Sequence, residues 1–237
     1  MKLACTSKAF ASALDRGDLT QLEVIDLTSR ELGVDGIVLD VRHFPRTDDD
    51  YLAQVKKMAA DLGLTIAALE SDDLFTAGAG AARASLTIAA RIGAPLVAAP
   101  LGSETALAWS TQLAHLSEAA ADAKSLNITL ALRNAPGTFA ASAYDCKRAL
   151  KETDSAWLRL GLEPASFDAA SDASSLAGRT VLLWSEIDAP PEPLLASWAA
   201  YGGFVALTAS GAFERAEMKN AIRRWRIARA QFELNRI

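Results

Sequence analysis

Eight short apolar runs, each followed by a longer stretch of polar and apolar residues, constrain this chain more than any other feature. The runs are Leu3–Thr6, Gly36–Asp40, Thr65–Leu69, Leu96–Ala99, Ile128–Leu132, Arg159–Leu162, Thr180–Trp184 and Phe204–Thr208. At four or five residues they have strand length, and apolar runs this continuous suit strands covered on both faces. Between them, helical periodicity is clearest at Leu19–Leu32, Asp48–Leu62, Ala81–Ile92, Glu104–Leu126, Ser142–Lys151, Pro193–Tyr201 and Glu217–Leu234. From Ser166 to Leu176 the residues are small and acidic, so the sixth helix is expected to be short or missing. Strand–helix units repeated eight times over 237 residues predict an α/β fold, a closed (β/α)8 TIM barrel, with residues 1–237 as one domain. An open doubly wound sheet would carry a glycine-rich phosphate loop after its first strand, and none is present. The run Ala77-Gly78-Ala79-Gly80 follows the third strand instead and reads as a flexible loop.

Helix punctuation agrees with this division. Gly33, Gly63 and Gly93 each sit between a helix and a strand, where a left-handed cap is needed. Asp48 and Ser142 are expected N-caps, and Pro191 and Pro193 suit a helix start.

Composition narrows the function classes. With 51% apolar residues the chain has a sizeable core available. Its 24 Lys and Arg against 29 Asp and Glu give a net charge of -5, which offers no general attraction for nucleic acid. No apolar run reaches the roughly 18 residues of a membrane span, and the N-terminus carries no secretory h-region. Two cysteines make no disulfide scaffold. A cytoplasmic protein is expected, contacting neither membrane nor nucleic acid. Cys5, inside a strand, and Cys146, inside a helix, have no neighbouring His in sequence and read as buried thiols. Ser7, Ser185 and Ser210 lack the context of a nucleophile elbow.

Barrel enzymes and binding proteins place ligands at the C-terminal ends of the strands. The residues there are Thr6, Ser7 and Lys8; Asp40, Arg42 and His43; Glu70, Asp72 and Asp73; Pro100 and Ser103; Arg133 and Asn134; Glu163, Ser166 and Asp168; Trp184, Ser185, Glu186 and Asp188; Thr208 and Ser210. From this set, Glu70, Glu163 and His43 are the catalytic candidates. Ser7, Asp40, Arg42, Arg133, Asn134, Trp184 and Glu186 are the ligand-binding candidates. His115 falls mid-helix and reads as a packing residue. The last helix carries Arg223, Arg224, Arg226 and Arg229 beside the stripe Met218, Ala221, Ile222, Trp225, Ala228 and Phe232, and reads as a barrel helix with a solvated basic face.

Several segments together resemble the xylose-isomerase-like TIM barrel family, the sugar-phosphate isomerases and epimerases and their relatives. They are the opening Cys5-Thr6-Ser7, the stretch from Gly17-Asp18-Leu19 through Leu32-Gly33-Val34-Asp35-Gly36 to Asp40, Ala60-Asp61-Leu62-Gly63-Leu64, and Arg91-Ile92-Gly93-Ala94-Pro95. The resemblance covers essentially the whole chain as a pattern of units. It implies a divalent metal held by a Glu ending the fifth strand, an Asp and a His around the sixth, a His on the seventh and a Glu ending the eighth. This chain departs from that set, with Arg133, Glu163, Trp184-Ser185 and Thr208 at those places. A guanidinium among would-be ligands repels a dication and keeps its proton. No metal and no other cofactor is therefore expected; the alternative is an oxygen-only Mg2+ or Ca2+ site on Glu70, Glu163 and Glu186.

Arg133 is expected to contact Glu70, Glu163 or Glu186. It either pairs bidentately with Glu163 or Glu186 and offers a fork to a ligand carboxylate, phosphate or hydroxyl, or it forms a structural ion pair that plugs the mouth. The resemblance and the departure together imply a family member without the metal site, binding a small polyhydroxy or acidic, carbohydrate-like ligand, with a homodimer as an admissible assembly. Two alternatives stand. One is a metal-independent sugar or sugar-phosphate isomerase or epimerase, with Glu70 or Glu163 as base and Arg133 or His43 stabilising an enediolate oxygen. The other is a repair endonuclease, which would require a His-rich metal cluster and a basic face.

Overall fold

The computed structural model describes residues 1–209 and 215–235. Ser210 lies outside the described residues.

Eight parallel strands close into one barrel in sequence order: β1 Lys2–Thr6, β2 Gly36–Asp40, β3 Thr65–Glu70, β4 Leu96–Pro100, β5 Thr129–Arg133, β6 Leu158–Leu162, β7 Thr180–Glu186 and β8 Phe204–Thr208. The pairing of β1 with β8, Cys5 opposite Leu207, completes the ring. Each expected strand is present. The ends differ by one or two residues, chiefly because strand pairing carries β3, β4, β5 and β7 out to Glu70, Pro100, Arg133 and Glu186.

The helices of the outer layer are α1 Ala11–Asp15, α2 Gln21–Leu27, α3 Asp49–Asp61, α4 Ala79–Ile92, α5 Trp109–Leu126, α6 Ala143–Thr153, α7 Ala170–Ser174, α8 Pro191–Ser197 and α9 Arg215–Leu234. The expected helix from Leu19 starts later. Thr20 caps it, its side chain accepting from Glu23 N–H while the Glu23 carboxylate accepts from Thr20 N–H. It ends in a π-helical turn, Thr28–Leu32. Asp48 and Ser142 cap α3 and α6 as expected. The helix expected from Glu104 begins at Trp109, after turns that hydrogen-bond back to Ser103. The helix expected over Pro193–Tyr201 is Pro191–Ser197, starting two residues earlier and ending four residues earlier. The run Ala77–Gly80 is not all loop, because α4 already starts at Ala79. The sixth helix is the short α7. Gly33, Gly63 and Gly93 are all left-handed; so are Asn127 and Asp154, which cap α5 and α6 and carry no glycine signal.

Along the strands the side chains alternate between two apolar clusters, except in β3, where Ala67 and Ala68 both join the inner one at a register shift with β2. Leu3, Cys5, Ile37, Leu39, Val97, Leu130, Leu132, Leu158, Leu160, Leu183, Val205 and Leu207 pack with the helices. Ala4, Val38, Ala68, Ala98, Ala131, Leu182, Trp184 and Ala206 form a second cluster, on the alternate faces of the strands, inside the barrel. The lumen is lined mostly by alanine, and Trp184, 1% exposed, fills much of it. Gly161 makes room: a Cβ there would lie 2.4 Å from Trp184 Cζ3. Gly36 does the same for Phe204, whose Cε1 would lie 2.7 Å from its Cβ.

Helix α9 covers the seam of the barrel with Met218, Ala221, Ile222, Trp225 and Ala228 buried. Its basic face is not simply solvated. Arg229 pairs with Asp35 at 3.0 Å, and Arg224 donates to the carbonyls of Ile187 and Asp188. Among the described residues, no helix is long and apolar enough to cross a membrane.

Candidate functional site at the mouth of the barrel

Two residues beyond the lumen layer, each strand presents the next side chain of the same parity. These residues are Thr6, Asp40, Glu70, Pro100, Arg133, Glu163, Glu186 and Thr208. They lie at the C-terminal mouth because all eight strands run parallel. Most of the charged candidates belong to this ring.

Glu70 is its centre. It is 2% exposed, and its Oε1 accepts from Arg133 NH1 at 3.0 Å. Arg133 NH2 lies 3.9 Å from Glu163 Oε2, at the edge of ion-pair range. The bidentate pair expected with Glu163 or Glu186 is thus replaced by a pair with Glu70, which stands on β3 and reaches across the lumen. Below it, the Arg133 guanidinium lies over the Trp184 ring, 5.2 Å from its centroid. Trp184 is therefore buried under the site, as a floor for Arg133.

Lys8 enters from the opposite side. Its Nζ is 3.0 Å from Asp72 Oδ1, 3.3 Å from Glu70 Oε1 and 3.6 Å from Asp40 Oδ2. Arg42 closes the network, with NH2 donating to Asp40 Oδ2 at 2.7 Å and lying 3.6 Å from Asp72. Three cations and four carboxylates thus alternate around the mouth. Lys8 has no role in the reading of the strand ends. Its signal in the sequence is parity: it stands two residues beyond Thr6, as Thr6 does beyond Ala4.

Burial and pairing set the charges. Burial pushes the Glu70 carboxyl up, the neighbouring Asp40 adds to this, and Lys8 and Arg133 only partly offset it. For Asp40 burial acts in the same sense, but hydrogen bonds from Arg42 and the charge of Lys8 win and hold it down. Burial opposes the Lys8 ammonium, yet Glu70, Asp72 and Asp40 together raise it.

Ser7 and Asn134 stand one residue out of step with the ring and are buried. Ser7 Oγ accepts from the Asp40 N–H at 2.8 Å and lies 3.4 Å from His43 Nδ1. Asn134 spends its amide on one neighbour: Nδ2 donates to the Glu163 carbonyl at 3.1 Å, and Oδ1 accepts from the Glu163 N–H at 2.7 Å. Both side chains hold strand ends in place. Glu186 ends β7 half-buried. His115 packs with Nδ1 3.2 Å from the Phe75 carbonyl. Burial pushes both cysteine thiols up to about 12, which removes them as nucleophiles near neutral pH.

Burial holds His43 below the ordinary histidine pKa. The unfolded chain then takes up a proton that the folded chain refuses. Stability from this group is constant above the ordinary histidine range and falls as pH drops through it to the depressed folded value. Urea denaturation across pH 5–8 should show this decline in the wild type and a shallower one in His43→Asn. Equal slopes would contradict it.

Among the described residues, four buried polar atoms of the mouth and its floor have no hydrogen-bond partner: Thr6 Oγ1, Glu70 Oε2, Arg133 Nε and Trp184 Nε1. Among the described residues, no three His, Cys, Asp or Glu side chains form a group that could hold a metal ion.

No curated protein matches the chain. Solved structures share its fold at low identity. A putative xylose isomerase from Rhodospirillum rubrum aligns with a TM-score of 0.80 and 16% identity, over 96% of this chain and 99% of that one. L-ribulose 3-epimerase aligns with a TM-score of 0.77 and 16% identity, over 98% and 97% of the two chains. D-psicose 3-epimerase aligns with a TM-score of 0.78 and 15% identity, over 97% and 98%. Residues 28–178, more than half of the sequence, match the xylose isomerase-like TIM barrel family, and the chain belongs to that family.

Proposed function

We propose that this protein binds a small polyhydroxy or acidic, carbohydrate-like ligand at the C-terminal mouth of the barrel, without the divalent metal that the family pattern implies. One observation carries the reading. Glu70 Oε1 is shared by Arg133 at 3.0 Å and Lys8 at 3.3 Å, so side-chain cations already sit against the most buried carboxylate of the mouth. A dication would have to displace or face both, and the residues at the family's ligand places are Arg133, Glu163, Trp184 with Ser185, and Thr208. With one carboxylate, no imidazole and a fixed guanidinium, this set offers too few donors for Mn2+ or Zn2+.

The mouth offers a ligand several charged and hydrogen-bonding groups that are only partly screened. Arg133 retains donors beyond the one given to Glu70, and Glu163 and Arg42 are partly exposed. Such groups fix the orientation of hydroxyls and, through Arg133, of a carboxylate or phosphate.

The test is thermal unfolding in the presence of free sugars, sugar acids and sugar phosphates, each with EDTA or with added Mn2+ or Mg2+. At least one compound class is expected to raise Tm by the same amount in EDTA as with metal. Stabilisation that appears only with added metal would overturn the reading.

A second reading is favoured by Glu70 itself. A buried carboxyl held above the usual carboxylate range, with Oε2 unpartnered, is suited to removing a proton next to a carbonyl. Arg133, or His43 at the rim, would stabilise the enediolate oxygen, and Glu163 is the alternative base. Incorporation of solvent deuterium beside the carbonyl of a ketose, in EDTA, would identify this metal-independent isomerase or epimerase. Its absence would leave binding alone.

A further inference from the structure

The ligand-binding reading of the mouth assigns no task to Lys8, yet Lys8 is among its most enclosed charges. Its side chain is 17% exposed and its ammonium lies within 3.6 Å of three carboxylates, Asp40, Glu70 and Asp72. Two cations from strands on opposite sides of the barrel, Lys8 after β1 and Arg133 at the end of β5, meet on one oxygen of Glu70, its Oε1. The other oxygen, Oε2, is buried and has no partner. A buried carboxylate oxygen without a donor is destabilising by about 1–3 kcal/mol or more, so Oε2 gains from any donor that a ligand brings against it in the mouth.

We propose that Lys8 is a positioning residue: with Arg133 it pins Oε1 of Glu70, leaving Oε2 to accept a hydrogen bond from a hydroxyl of the ligand. The inference rests on the ligand-binding reading above and adds to it a residue and a point of contact. A hydroxyl suits Oε2 because it donates. A phosphate or an ionised carboxylate only accepts, and would be repelled there.

The charges that face Glu70 also explain why two cations are needed. Asp40 and Asp72 stand on the Lys8 side, with Arg42 holding Asp40. Glu163 stands on the Arg133 side. With Lys8 gone, Asp40 and Glu70 would face each other with only Arg42 and Arg133 between them. The Glu70 carboxyl would then keep its proton to higher pH, and a protonated carboxyl turns an acceptor into a donor.

The experiment uses the full chain and two readouts. The first needs no ligand: the pH at which the Glu70 carboxyl titrates, followed by carbon NMR in wild type, Lys8→Met and Lys8→Arg. The midpoint should rise by about one pH unit or more in Lys8→Met and stay near wild type in Lys8→Arg, which keeps the charge. The second is the Kd for two neutral ketoses, D-fructose and D-tagatose. Lys8→Met should weaken the better of them about tenfold, and Glu70→Gln at least as much. Should Lys8→Met fail to fold, Lys8→Gln is read in the same way. An unmoved Glu70 midpoint overturns the proposal whatever binds. A moved midpoint with neither ketose bound by wild type removes the hydroxyl contact and overturns the proposal; if sugar acids or phosphates still bind, the broader reading survives. Ketose affinities equal within twofold in wild type and Lys8→Met also overturn it, leaving the binding reading intact.

Discussion

Arg133→Ala is expected to lower the unfolding free energy by about 3 kcal/mol, the lower end of the range for breaking a buried ion pair. Glu70 is 2% exposed and its Oε1 holds Arg133 at 3.0 Å. Removing the guanidinium leaves a buried carboxyl facing Asp40, with Lys8 as its remaining cation at 3.3 Å. That remaining partner is why the loss falls at the low end. The same change takes away the donor group that lies over Trp184 and the nearest cation to Glu163. Ligand-induced stabilisation should therefore disappear together with part of the fold's stability. The double variant Arg133→Ala/Glu70→Gln should recover stability relative to Arg133→Ala, because no buried charge is then left short of a partner. Urea denaturation decides the matter. A change below about 0.5 kcal/mol for Arg133→Ala would mean that the pair is not a structural contact.

Trp184→Ala should have the larger effect, about 3–5 kcal/mol, typical for emptying a core site of an aromatic ring. Trp184 is 1% exposed in a lumen otherwise lined by Val38, Leu182 and the short side chains of Ala4, Ala68, Ala98, Ala131 and Ala206. The five alanines cannot reach into the space, and Val38 and Leu182 are too small to fill it, so most of the cavity persists. The reverse error is also informative. In Gly161→Ala the new Cβ would lie 2.4 Å from Trp184 Cζ3, a distance that forces the ring or the strand to shift. That overpacking should destabilise by about 1–3 kcal/mol. Combining Gly161→Ala with Trp184→Phe should cost less than the sum of the two, because the smaller ring vacates the contested space. Strict additivity, or a Trp184→Ala variant within about 1 kcal/mol of wild type, would show that the ring is not the filler of the lumen.

The barrel was legible in local pattern because its elements are short and repeated. Runs such as Ile37-Val38-Leu39 and Leu130-Ala131-Leu132 are long enough for one strand and too apolar for anything but burial on both faces. Caps at Asp48 and Ser142 act over three residues, so they too are local facts. The candidate site was partly legible for the same reason: with all strands parallel, the charged residues that follow them meet at one end. Parity could have gone further, separating Glu70 and Arg133, in step with the lumen, from Ser7 and Asn134, which are out of step and spent on backbone.

What the sequence could not contain was the pairing. Glu70 and Arg133 are 63 residues apart, and Lys8 and Asp72 are 64 apart. Which carboxylate each cation meets depends on the stagger of eight strands around a closed ring and on reach across the lumen, and no local spacing encodes either. Helix α9 makes the same point from outside. Its arginines form a polar stripe by periodicity, yet Arg229 finds Asp35 and Arg224 finds two carbonyls after β7 only because ring closure brings the end of the chain back to its beginning. Likewise Trp184 stands where the family pattern leads one to expect a metal-binding imidazole. Its tertiary place, opposite Gly161 and beneath Arg133, makes it the floor of the mouth.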